Sequence, residues 1–164
     1  MKKLIILAIF ITGAITQSDA QKFAHANFEE IVTMLPERAA SEKEVQELQK
    51  TLETRLNSMV TTYQTKLAEF EEQGATMSNT LKTSAQGEIS DLQRRIQEFQ
   101  QTAYGEIEAK QNELMAKMFE KVRTAAQNVG KNGDFTYIFD SSNGTLLYAG
   151  GQDVTALVKT ELGI

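Results

Sequence analysis

The residue types that carry most enzyme chemistry are scarce in this chain. His25 is the only histidine. Acid–base work by an imidazole needs a partner held in hydrogen-bond reach, and no motif surrounds His25, so its expected role is structural. Cysteine is absent, which excludes a thiol nucleophile, a thiolate zinc site and a disulfide scaffold. The carboxylates cluster at Glu69, Glu71 and Glu72 and again at Glu106 and Glu108. Carboxylates on facing helices hold divalent metals when Glu-x-x-His motifs complete the set, and no such motif occurs. A solvated acidic face is the expectation. Gly130, Gly133 and Gly150-Gly151 form no phosphate loop, because no glycine-rich run ends in Lys-Ser or Lys-Thr. Asn143-Gly144-Thr145 fits a glycosylation acceptor by pattern but reads better as a turn. Arg94-Arg95 is the densest basic spot, set among interspersed charges of both signs. No catalytic set, metal or cofactor is expected, and the chain is read as a non-enzyme.

What remains is soft apolar surface. Met59, Met77, Met115 and Met118 accompany Tyr63, Phe70, Phe99 and Tyr104 through the middle of the chain. Methionine adapts to irregular partners and is common on promiscuous surfaces. Met59, Tyr63, Phe70, Phe99 and Met118 fall on helical stripes and suit a helix–helix seam. Tyr104 and Met115 lie off the stripe and suit an outside partner equally well.

The elements that position these residues start after the N-terminus. Met1-Lys2-Lys3 is basic, Leu4 to Ile15 is uncharged, and Ser18-Asp19-Ala20 offers small residues at cleavage positions. This reads as a signal peptide over 1–20, since the apolar run is too short to span a bilayer. The expected mature chain, 21–164, carries 15 basic and 21 acidic residues, a formal charge of −6. That acidity argues against nucleic acid as a partner and against membrane-surface contact. Residues 22–27 alternate as a strand, and 28–35 form a short helix stopped by Pro36, the only proline.

Two long helices follow. Val45, Leu48, Leu52, Leu56, Met59, Tyr63, Leu67 and Phe70 are spaced three and four apart, as one face of a helix requires. Their 4-4-3 spacing is an eleven-residue repeat, which predicts a nearly straight pairing. Residues 74–87 are rich in Gly, Ser, Thr and Asn. A second stripe runs from Ile89 through Leu92, Ile96, Phe99, Ala103 and Ile107, continuing at Leu114, Met118, Val122, Ala125 and Val129. Gly130 is the expected cap. Narrow stripes need partners, so the two helices are expected to fold back on each other. The reversal is placed within 74–87, near 82. Beyond it, Phe135 to Ala149 reads as an antiparallel hairpin turning at Asn143-Gly144. A last helix follows from Val154 to Leu162, capped by Asp153.

The expected fold is therefore mainly α with a small β part (α+β). A helical-hairpin arm, 37–128, stands on a β-containing head made of 21–36 and 129–164. Such a small head, lacking disulfide or metal, needs company, and its sheet edges invite it. The head is therefore expected to oligomerise. The residues proposed for that contact are Phe23 and Phe28 at the start, Phe135, Tyr137, Ile138 and Phe139 in the first hairpin strand, Leu146, Leu147 and Tyr148 in the second, and Leu157 and Val158 in the last helix.

Three stretches carry a resemblance: FAHANFEEIVTMLPE at the start, DLQRRIQEFQQTA in the middle, and FTYIFDSSNGTLLYAGGQDVTALVKTEL at the end. With them the mature chain resembles the Skp/OmpH family of periplasmic chaperones. The resemblance implies a trimer whose heads assemble and whose arms enclose a cavity. Unfolded outer-membrane β-barrel proteins are held there without ATP, in the periplasm. Met59, Tyr63, Phe70, Met77, Phe99, Tyr104 and Met115 are the expected client contacts. The chain is acidic where its best-studied relatives are basic, so electrostatic capture of clients or of lipopolysaccharide is not carried over. A structural coiled-coil spacer or adaptor in the cell envelope is the alternative.

Overall fold

A computed structural model describes residues 21–164; the signal peptide expected over 1–20 lies outside the described residues. The chain is mainly helical with one small sheet. Its elements are β1 (Phe23–Ala26), α1 (Phe28–Met34), α2 (Glu37–Gln73), α3 (Asn79–Asn132), β2 (Tyr137–Asp140), β3 (Gln152–Asp153) and α4 (Thr155–Leu162). They divide into two compact units. One holds the described residues up to Phe28 together with Ala125–Gly163, and the other holds Glu29–Thr124.

In the first unit, β1 is the central strand of a three-stranded sheet in the order β2-β1-β3. Its side chains alternate between faces. Ala24 and Ala26 are buried, whereas Phe23 is exposed and His25 half-buried. Both pairings are parallel. Phe23 stands beside Tyr137, His25 beside Phe139 and, on the other side, beside Asp153. The ladder is extended at each end: the Thr136 amide donates to the Lys22 carbonyl (2.8 Å), Ser141 to Ala26 (3.0 Å) and Val154 to His25 (2.9 Å). Helix α4 packs on β1. Its first turn is tied down twice: the Asn27 amide donates to Thr155 Oγ1 (3.0 Å), and the Thr155 amide to Asp153 Oδ1 (2.8 Å).

This sheet corrects the expected antiparallel hairpin. Thr145–Ala149 forms no strand, and Leu147 and Tyr148 are 97% and 84% exposed. The cause is local hydrogen bonding that competes with the ladder. At the end of β2, Asp140 Oδ1 accepts from the Ser142 amide (2.9 Å) and hydroxyl (2.6 Å), which turns the chain away. Asn143 Oδ1 accepts from the Thr145 amide (3.0 Å), and Gly144 takes φ +69°. Asn143-Gly144 therefore bends the chain through a local side-chain bond, with only Gly144 at positive φ, and closes no hairpin. The strand that returns to the sheet is β3, and it pairs with β1 instead of β2.

Helix α3 also outruns its expected end. Gly130 does not cap it; it lies inside the helix, with Ile138 Cδ1 3.5 Å from where a Cβ would stand, an ordinary packing distance. The stop comes later, with the Gly133 amide bonded to the Val129 carbonyl (2.9 Å) and Asp134 in the left-handed region at φ +54°. Lys22 Nζ donates to the Gly133 carbonyl (2.8 Å) and stands 4.1 Å from the Phe135 ring centroid. A cation at this end suits the helix dipole.

In the second unit, α2 and α3 run antiparallel. Three cross-helix contacts share a midpoint at residue 77: Glu44–Lys110 (3.0 Å), Lys66–Glu88 (3.6 Å) and Arg55 over the Phe99 ring (5.1 Å). The reversal occupies 74–78. The Gly74 amide closes α2 on the Phe70 carbonyl (2.8 Å), and Ser78 Oγ accepts from the Leu81 amide (3.4 Å) to open α3. The turn sits earlier than residue 82 because α3 continues past the level at which α2 begins. Gly87 lies inside α3. At 1.5 Å per residue, α2 is about 55 Å long and α3 about 80 Å.

The stripes read from sequence are the covered positions. Val45, Leu48, Leu56, Met59, Tyr63, Leu67 and Phe70 are half-buried, as are Ile89, Leu92, Ile96, Phe99, Ala103 and Ile107. Leu52, Leu114, Met118 and Val122 are buried outright. Two helices can cover only one narrow face of each other, which is why most of the seam stays half-wet. The ion pairs along it are exposed and screened by solvent, so they add little to stability. The apolar seam supplies most of the stabilisation.

Candidate functional site

Once α2 and α3 have used their stripes on each other, some apolar side chains on them are left over. Tyr104 is 76% exposed, and Met115, Phe119 and Leu81 are exposed too. At 100° per residue, Tyr104, Met115 and Phe119 fall within about 60° of one another on α3. They form a strip beside the seam, roughly 22 Å long at the helical rise. Phe119 was missed by the sequence reading. The signal was present: it stands four residues after Met115, off the stripe.

The other expected contacts are placed differently. Met59, Tyr63, Phe70 and Phe99 are half-buried in the seam, so only part of each reaches solvent. Met77 lies at the reversal. Together with Phe70, Leu81, Ala85 and Ile89 it lines a cavity of about 220 Å³, with Lys66 and Glu88 at its edge. The structure thus brings Phe70 and Met77 together, and separately groups Tyr104 with Met115.

Charge along the hairpin is paired within it. Arg94 is held by Asp91 and Glu98, and both bonds keep its guanidinium more firmly charged than usual. Arg94, one of the two arginines of the densest basic spot, is thereby paired on its own helix. Glu37 is bonded by Lys121, which holds its carboxyl below the ordinary range. The Lys117 bond does the same for Glu113, aided by Lys110. Lys110 is raised in turn by its bond to Glu44. Among the described residues no group of three His, Asp or Glu could hold a metal ion. No helix among them is long and apolar enough to cross a membrane.

The sheet unit carries a second apolar surface. Phe23, Tyr137 and Phe139 stack on one face with ring centroids 5.9, 6.4 and 5.9 Å apart, and all three are exposed. Leu157 is exposed on α4, where Val129, Gly133 and Thr160 line an open cavity with it. Phe28, Phe135, Ile138 and Leu146 are half-buried. Val158 is a correction: it is 0% exposed. As an apolar side chain four residues after Val154, also buried, it faces into the unit and offers no outer contact.

Comparison with known proteins shows what this arrangement is similar to. The OmpH-like outer membrane protein family matches residues 22–162. A Skp chaperone protein of Photorhabdus luminescens is 26% identical over 169 residues, covering 99% of each chain. That of Photorhabdus laumondii subsp. laumondii is 25% identical over the same span and coverage. The fold is similar to a crystal structure from Caulobacter crescentus CB15 described as an OmpH-like outer membrane chaperone. The TM-score is 0.70 at 13% identity, over 88% of this chain and 86% of the other.

Proposed function

Because this chain belongs to the OmpH-like family of outer membrane proteins, we propose that it is a periplasmic, ATP-independent holdase for unfolded outer-membrane β-barrel proteins. It is exported by a signal peptide over 1–20, assembles into a trimer and performs no catalysis. The observation that carries the reading is the strip Tyr104, Met115 and Phe119, left exposed on a hairpin whose two stripes already face each other. A hairpin serving only as a spacer has no use for it.

The proposed mechanism needs no reaction. Fully burying one large apolar side chain is worth about 1.5–3 kcal/mol, so each strip contact alone is weak and short-lived. Three strips around one client act together, and linked weak contacts bind far more tightly than any single one. Met59, Tyr63, Phe70, Met77 and Phe99 add their partly exposed edges. Methionine supplies tolerance of sequence. The client stays unfolded because nothing in the surface selects one conformation.

Self-association is assigned to the sheet unit. Phe23, Tyr137, Phe139, Leu147, Tyr148 and Leu157 are the residues proposed to meet a second copy. Phe28, Phe135, Ile138 and Leu146 support them from half-buried positions. The sheet has two open edges, and the exposed Leu147–Tyr148 segment is apolar chain with no partner strand. Both are features that pairing with another chain would cover.

The test is capture. Mature protein is mixed with a fluorescent β-barrel membrane protein diluted from urea, and separately with the same barrel folded in detergent. Co-migration with the unfolded barrel alone supports the reading. Binding of neither, or of the folded barrel only, overturns it.

A further inference from the structure

The sheet unit holds a polar atom that the proposed function leaves unused. Among the described residues, the one buried side-chain nitrogen or oxygen without a hydrogen-bond partner is His25 Nδ1. Buried polar atoms are usually bonded, and an exception needs a reason. Here the place of the atom supplies one. The alternation of β1 puts His25 on the same face as Phe23, away from the buried Ala24 and Ala26. Register places Phe139 on one side of it and Asp153 on the other, with Tyr137 beside Phe23. His25 therefore stands within the exposed aromatic face, at the centre of the sheet.

We infer that this face is a proton-sensitive self-association surface, with His25 as the residue that sets the sensitivity. The inference rests on the self-association proposed above. The occupant is a second copy of this chain, for two reasons. Apart from Asp153 at its margin, the face is uncharged and aromatic, so nothing in it selects a partner of opposite charge. An apolar face presented by every copy is also self-complementary, as symmetric assembly requires.

The direction follows from the surroundings of the ring. Neutral imidazole is an aromatic ring with one donor and one acceptor, and it fits among Phe23, Tyr137 and Phe139. Covering the face removes the remaining water, and a charge taken out of water without a full set of partners is strongly disfavoured. The charged groups near it are few. Asp153 of β3 faces it, with its carboxylate already accepting the Thr155 amide (2.8 Å). Lys159 of α4 acts on that same Asp153. From β2 the neighbour is Phe139; Asp140 is the next residue and alternates to the opposite face, where its carboxylate serves Ser142. One engaged carboxylate opposes three apolar rings, so protonation of His25 weakens assembly. Imidazoles change charge between about pH 5 and 8, within reach of mild acidification.

The experiment measures the mass of mature protein by sedimentation between pH 7.5 and 5.5, with helicity followed in the same samples. Wild type, His25→Phe and His25→Asn are compared. Expected is an oligomer at pH 7.5 that dissociates at pH 5.5 with helices intact, its association constant falling at least about tenfold. Both variants lose the pH dependence, and His25→Phe stays assembled at pH 5.5. A wild-type oligomer that is indifferent to pH or tightens on acidification overturns the assignment of His25 and leaves self-association standing. So does a pH dependence that survives in both variants. A monomer at pH 7.5 overturns both.

Discussion

Residue by residue, burial separates what holds the fold from what is free to act. Val122 and Ile31 are fully buried, whereas Tyr104 and Met115 are exposed. Truncating a buried aliphatic removes transfer energy and leaves a cavity. Ile31→Ala is therefore expected to cost about 2–4 kcal/mol in urea unfolding, and Tyr104→Ser under about 0.5 kcal/mol, the usual range for exposed sites. The exposed carboxylates act on a third scale. Glu37 and Glu113 are held below the ordinary value of 4.5 by Lys121 and Lys117 respectively. A depressed carboxyl stabilises the native state above its unfolded value, and this stabilisation is lost as pH falls through its lowered folded value. The thermal midpoint is thus expected to drop as pH falls below about 4.5, less steeply in Glu37→Gln and less at high salt.

Among the elements, α3 combines length with weak spots. Gly87 and Gly105 lie inside it, and nothing stands within 4 Å of where their Cβ atoms would be. Neither glycine is needed for close packing, and each costs a helix interior about 0.5–1 kcal/mol against alanine. Gly87→Ala and Gly105→Ala should each raise unfolding free energy by about that amount, read from the urea midpoint at unchanged slope. The same element shows what was legible in the sequence. The seam from Val45 to Phe70 and from Ile89 to Val122 could be read because helical contacts repeat every three or four residues. The sheet could not. Tyr137 pairs with Phe23 across more than a hundred residues, and no local pattern encodes that choice. Asn143-Gly144 bends the chain but makes no hairpin, because the local bonds of Asp140 and Ser142 lead it away from β2. Gly130 has the residue type of a cap, but the helix runs on to the stop at Gly133 and Asp134. Of the candidate site, Tyr104 and Met115 were visible as apolar residues off the stripe, while the exposure of Phe119 and the burial of Val158 emerged only with the packing.

Over the whole molecule, two exposed apolar surfaces differ in character. The sheet unit offers a stacked aromatic face suited to identical copies, and the hairpin offers scattered apolar residues suited to variable partners. The tasks are separable by mutation. Replacing Tyr104, Met115 and Phe119 together by serine should leave particle mass unchanged and the chain folded while weakening client capture at least about tenfold, as expected when several linked weak contacts are removed at once. The most direct measurement of the central claim is light scattering of an unfolded β-barrel membrane protein diluted from urea into buffer with the mature chain. The account predicts that aggregation is suppressed at about one assembled particle per client without nucleotide, and returns with the triple serine variant. Undiminished aggregation in the presence of intact, assembled wild-type protein would contradict it.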